Sequence, residues 1–206
     1  RGVPGDLLEA GVGRGGAAIL MRGVLAAHGV AGRRVWAADS FRGFPAGGEG
    51  GVTRRSYRSP ELARGLAELG DDPRALAELA ARFSRGTSLA EVRDHFSRYG
   101  LLDERVRFLE GWFRDTLPSA PVGRLALARV DADLYDSTLV ALTWLYPRLS
   151  EGGYVIVDDY GTFGECREAV HDYLASAGHG VGLEPVDGEA VFWRTGGAAG
   201  GGPLAG

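Results

Sequence analysis

Lysine, asparagine and glutamine do not occur in this 206-residue chain, and isoleucine appears only at Ile19 and Ile156. A strongly GC-biased genome depletes these residues together, yet each absence excludes chemistry. Without Lys there is no Schiff base and no phosphate-gripping P-loop. Without Asn or Gln there is no side-chain amide for an oxyanion hole, a Cys-His-Asn triad or a metal. The single Cys166 excludes an intrachain disulfide and a cysteine-based zinc site. No apolar run approaches the ~20 residues that span a bilayer, and no stretch reads as a signal peptide. The expected address is therefore the cytoplasm, with no membrane partner. All 23 basic side chains are Arg against 27 acids, a net charge of −4, so no basic field draws nucleic acid. The chain opens at Arg1 in a turn-like Gly-Val-Pro-Gly, from which we expect a segment upstream.

Glycine is abundant instead, at 34 residues, about twice the usual share of roughly 7%. The 45% apolar and 24% charged content suits one globular domain, expected over 1–195. Short apolar runs alternate with helical patterns, which argues an α/β fold with a mostly parallel sheet. Strands are expected at 6–10 (DLLEA), 34–39 (RVWAAD), 105–109, 125–131 (LALARVD) and 153–158 (GYVIVD). Helices are expected at 17–28, 137–149 and 165–176. A terminal pair at 182–185 and 190–194 could form a hairpin turning at Asp187-Gly188. Residues 46–100 break the rhythm and read as a helical insertion, with helices near 60–69, 73–83 and 88–99. The last of these is introduced by a Ser88/Glu91 capping-box pattern. The glycine-rich tail 196–206 is expected to be disordered.

Three constellations carry possible chemistry. The first is EAGVGRGG at 9–16, a strand followed at once by glycines and a helix, which lets a nucleotide or adenosyl group approach the backbone closely. Asp39 closes the next strand, where an acid commonly accepts ribose hydroxyls. This pair suits a dinucleotide fold as well as a methyltransferase fold. The second is a set of acids at adjacent strand ends, Asp131 with Asp133, and Asp158 with Asp159. Converging there without a basic partner, they would repel one another unless a hard cation such as Mg²⁺, Mn²⁺ or Ca²⁺ joined them. A plainer reading makes Asp133 and Asp136 helix caps and leaves Asp159 solvated. The third is Gly111-Trp112-Phe113, an aromatic edge suited equally to an adenine ring or to the core. None of the four histidines has a ligand-like i,i+4 partner, and His171 is notable only for following the acids. No G-x-S-x-G turn supports a hydrolase. The cluster Arg54, Arg55 and Arg58 could meet an anionic or polyhydroxyl substrate, or form a solvated loop.

In order along the chain, PGDLLEAGVGRGGAA, VWAADSFRGFP, VRFLEGWFRDTLP, RVDADLYDSTLVALTWLYPRLSEGGYVIVDDYG, CREAV and AVFWR resemble the macrocin O-methyltransferase family. The family methylates sugar hydroxyls on natural products such as macrolides and aminocoumarins. The resemblance implies a Rossmann-like class I methyltransferase fold with helices on both faces of the sheet, S-adenosylmethionine as methyl donor, and bound Mg²⁺. It places Glu9, Gly11 and Gly13 at the donor's methionine end, Asp39 and Ser40 at its ribose, and Gly111 and Trp112 near the adenine. It gives the metal to Asp131, Asp158 and Asp159 and makes Asp131 the general base, since Asp131 comes first at its strand end. Family members carry an N-terminal segment that helps cover the site, and this sequence does not include it.

The expected function is metal-assisted methyl transfer to a hydroxyl, with a small-molecule partner that is a glycosylated natural product. A catechol-type enzyme acting on a phenol and a non-catalytic donor-binding paralogue are the alternatives. A nicotinamide oxidoreductase would leave the acids without a task. Oligomeric state, homo-oligomer included, is left open.

Overall fold

The computed structural model describes residues 2–45, 86–178 and 180–196. Its sheet is seven-stranded in the order β3-β2-β1-β4-β5-β7-β6. The strands are β1 (Asp6–Ala10), β2 (Val35–Asp39), β3 (Val106–Glu110), β4 (Leu125–Val130), β5 (Leu149–Val157), β6 (Glu184–Pro185) and β7 (Val191–Arg194). β1 to β5 pair in parallel, while β7 runs antiparallel to both β5 and β6. The order reverses between β1 and β4, and in open parallel sheets that switch point is where ligands bind.

Alternation along the strands makes both faces apolar. Leu8, Ala10, Trp36 and Ala38 face one core, which is closed by helices α4 (Tyr135–Leu145) and α5 (Gly164–Ser176). Leu7, Val35 and Ala37 face the other, closed by α1 (Gly16–Ala27) and α2 (Leu89–Arg98). A short helix, α3 (Phe113–Thr116), follows β3. The expected capping box forms, with Ser88 Oγ accepting from the Glu91 N–H and Glu91 Oε2 accepting from the Ser88 N–H. The helices expected at 60–69 and 73–83, the three loop arginines and nearly all of the tail lie outside the described residues.

Several element boundaries differ from expectation, most by a residue or two, and two of the differences have a clear cause. β5 begins at Leu149, because Gly152 (φ +74°) and Gly153 form an irregularity within the strand rather than a turn before it. Helix α4 begins at Tyr135, whose ring is buried and whose hydroxyl donates to Asp172 Oδ2 at 2.8 Å.

Arg22 of α1 is buried and makes a paired contact, through Nε and NH2, with Asp103 just before β3. The Arg22 guanidinium holds the Asp103 carboxyl down at about 2. An acid depressed in the folded state stabilises the protein above its unfolded value near 4, and that contribution is lost as pH falls through about 2. We expect Asp103→Asn to cost about 1–3 kcal/mol at pH 7, since it strands a buried cation. In urea titrations the gap from wild type should shrink as pH falls below about 4; a gap that is constant with pH would refute the ion pair's role.

Candidate active site

The carboxyl ends of β1, β2, β3 and β4 surround a cavity of about 310 Å³. Gly11, Gly13, Asp39, Ser40, Gly111, Trp112, Asp131 and Asp133 all line it, whereas Glu9, Asp158 and Asp159 do not.

The glycines differ in what they do. Gly11 has φ +88°, and a Cβ there would stand 1.6 Å from the Asp131 carbonyl oxygen, so the residue lets β1 and β4 leave the sheet side by side. Gly13 (φ +51°) lines the cavity and has open space where a side chain would be. Gly111 (φ +136°) turns the chain after β3 against Thr116.

Asp39 is the fastener of this half of the site. Its Oδ2 accepts from the N–H groups of Val12 (2.7 Å) and Gly13 (3.2 Å), and its Oδ1 accepts from Phe41 N–H (2.8 Å). Its carbonyl accepts from Gly111 N–H. Ser40 is buried and staples the same loop, its Oγ donating to the Gly43 carbonyl and accepting from Arg42 N–H. Trp112 is half-buried, and its carbonyl accepts from Thr116 Oγ1. Glu9 is 1% exposed and lies behind the loop rather than in the cavity. Its Oε2 accepts from the Ala18 N–H in the first turn of α1, a helix with no capping side chain of its own. Burial pushes the Glu9 carboxyl up to about 7, against the pull of Arg129.

The acids do not meet without a basic partner. Arg129, one alternation before Asp131 on β4, ion-pairs with Glu9, Asp131 and Asp158. An arginine inside the otherwise apolar run LALARVD was the available signal, because the two-residue repeat places it on the same side of the strand as Asp131. Asp131, Asp133 and Asp159 each offer an oxygen, all within 4.8 Å of one another, while Asp158 turns to Arg129. Asp133 has a left-handed backbone (φ +54°), and its N–H donates to Asp159 Oδ2 at 3.0 Å. Burial first, and then the neighbouring carboxylates, push Asp133 up to about 7 and Asp159 up to about 8. Such a set of crowded hard oxygens fits a divalent cation of the Mg²⁺ class.

The remaining candidates stand apart. His171 Nε2 meets the Tyr160 hydroxyl at 2.9 Å, and His95 Nδ1 meets the Arg14 carbonyl. Cys166 is buried, and its thiol is pushed up to about 12, so it is inert. Among the described residues no helix is long and apolar enough to cross a membrane.

The sequence profile of the macrocin O-methyltransferase family (TylF) matches residues 1–195. A tetracenomycin-C rhamnosyl 4'-O-methyltransferase of Streptomyces olivaceus is 50% identical over 94% of this chain and 67% of its own length. The mycinamicin III 3''-O-methyltransferase of Micromonospora griseorubida is 47% identical over 94% of this chain and 69% of its own. The chain thus spans about two thirds of the length of these relatives. The solved O-methyltransferase NovP superposes with a TM-score of 0.76 at 46% identity, covering 94% of this chain and 72% of that one. The chain belongs to the macrocin O-methyltransferase family, enzymes that transfer a methyl group to a hydroxyl oxygen.

Proposed function

We propose that this chain methylates a sugar hydroxyl of a glycosylated natural product, using S-adenosylmethionine and a divalent cation. One observation carries the reading: the glycine loop with Asp39 and the carboxylates Asp131 and Asp133 line a single cavity. The named relatives act on rhamnosyl tetracenomycin and on mycinamicin III, both consistent with a glycosylated acceptor.

S-adenosylmethionine would supply an electrophilic methyl group on sulfonium. Gly11 and Gly13 leave room for its methionine end, with Glu9 supporting their loop from behind. Asp39 and Ser40 would hold the ribose, and Gly111 and Trp112 would form the adenine wall. Asp131 and Asp159 would hold Mg²⁺, joined by Asp158 drawn from its ion pair with Arg129, and the cation would supply positive charge beside an acceptor oxygen. The base we assign is Asp133 rather than Asp131. Asp131 spends Oδ2 on Arg129, whereas Asp133 reaches the cavity without an Arg partner, and burial pushes its carboxyl up to about 7. The Asp133 carboxylate would take the proton of the acceptor hydroxyl.

Incubating purified protein with S-adenosylmethionine, Mg²⁺ and parallel panels of glycosides and catechols tests this. Methylated glycoside that disappears with excess chelator or in Asp158→Ala/Asp159→Ala is the expected result. Preference for catechols overturns the acceptor class. Donor binding without turnover on any acceptor overturns catalysis, and chelator-resistant turnover overturns the metal.

A stability measurement is independent of the acceptor. Acids raised in the folded state bind protons more tightly there, so folding stability falls as pH rises from about 4 to about 8. Thermal melting of chelator-treated protein should decline over that range, and Mg²⁺ should raise Tm more at pH 8 than at pH 5. Equal Mg²⁺ shifts at both pH values would count against cation binding by these acids.

A further inference from the structure

Arg129 bridges three carboxylates and does not itself line the cavity. Its Nη1 lies 2.7 Å from Glu9 Oε1 and 2.7 Å from Asp131 Oδ2, and its Nη2 lies 2.7 Å from Asp158 Oδ1. Its side chain is 17% exposed and that of Glu9 2%, so the inner part of the network is nearly dry. Glu9 in turn holds the first turn of α1 through Ala18 N–H. The guanidinium is thus anchored from behind and presents its fork to the acids at the ends of β4 and β5.

We propose that Arg129 is a positioning residue that holds Asp131 and Asp158 as ion-paired acids, and so keeps a divalent cation at this site weakly held and exchangeable. The inference rests on the reading that the strand-end carboxylates take such a cation. Asp131, Asp133, Asp158 and Asp159 together present a strong negative field. A fixed positive charge in contact with two of them cancels part of that field, and the little water around it leaves the effect poorly screened. Arginine suits the task because it cannot lose its proton and its planar fork fixes two carboxylates at once.

Calorimetric titration of chelator-stripped protein with Mn²⁺ tests the inference without any turnover. Wild type should bind, Arg129→Lys should stay within about threefold of it, and folded Arg129→Gln and Arg129→Met should bind about tenfold tighter or more. A purely structural arginine would give the opposite sign, because disordered ligands bind more weakly. If the neutral variants do not fold, Glu9→Gln serves: with Glu9 neutral, Arg129 acts wholly on the two aspartates, and Mn²⁺ binding should weaken about threefold or more while the apo Tm stays within a few degrees of wild type, which a disordered ligand set would not do. Unchanged or weaker binding in the neutral variants overturns the inference, as does unchanged or tighter binding in Glu9→Gln. A wild type that binds no Mn²⁺ overturns the cation reading itself.

Discussion

Gly11→Ala will remove most of the chain's stability, whereas Gly13→Ala, two residues away in the same loop, will leave the protein folded. The Gly11 Cβ would sit 1.6 Å from the Asp131 carbonyl oxygen, a backbone atom that moves only if the ends of β1 and β4 separate. The positive φ of +88° adds strain that a Cβ-bearing residue rarely tolerates. The expected cost exceeds about 4 kcal/mol, a large share of the ~5–15 kcal/mol that holds a domain together. At Gly13 a Cβ meets nothing within 4 Å, so the fold bears only the left-handed penalty, roughly 1–2 kcal/mol. Because Gly13 lines the cavity, a methyl added there should lower the affinity for S-adenosylhomocysteine about tenfold or more. Urea denaturation and calorimetry separate the two effects. Equal instability of both variants would show that the loop, and not the β1–β4 contact, requires glycine at position 11.

The other large effect is at the proposed base. Asp133→Asn should lower kcat about 10²–10⁴-fold, the usual range for losing a general base, while Mn²⁺ affinity changes only a few-fold. The amide cannot take a proton at neutral pH, but the Asp133 backbone N–H still reaches Asp159, so the left-handed turn persists. Asp131→Asn should depress both turnover and Mn²⁺ binding, because that carboxylate pairs with Arg129 and is one of the ligands we propose for the cation. Turnover above about one tenth of wild type in Asp133→Asn, with a larger loss in Asp131→Asn, would return the base to Asp131.

Much of this site can be read from residue order alone. Parallel pairing of Val130 with Val157 makes Asp131 and Asp158 neighbours, and the short apolar runs LALARV and GYVIV already mark the two strands whose ends carry them. Asp39 at the end of β2 is equally visible. The partners of these acids are not, because they depend on side chains that meet only after the sheet has twisted and closed. Arg129 stands out as a charge inside an apolar run, but its partner is hidden until the Glu9 side chain is found beneath the glycine loop. Asp133 looks like an ordinary helix-capping acid. Its left-handed backbone follows from an acceptor at Asp159, 26 positions away. The start of β5 is hidden for a local reason: Gly152-Gly153 has the composition of a turn and the geometry of an irregularity inside a strand.

Asp39 joins three loops that are far apart in sequence: its carboxylate secures the turn after β1 and the loop after β2, and its carbonyl secures the turn after β3. The walls of the cavity are therefore one framework, not three independent hinges. A ligand entering between them finds the backbone already arranged, and little of its binding energy goes into restricting chain motion. The entropy of ordering those turns is lost once, when the chain folds, rather than at every catalytic cycle.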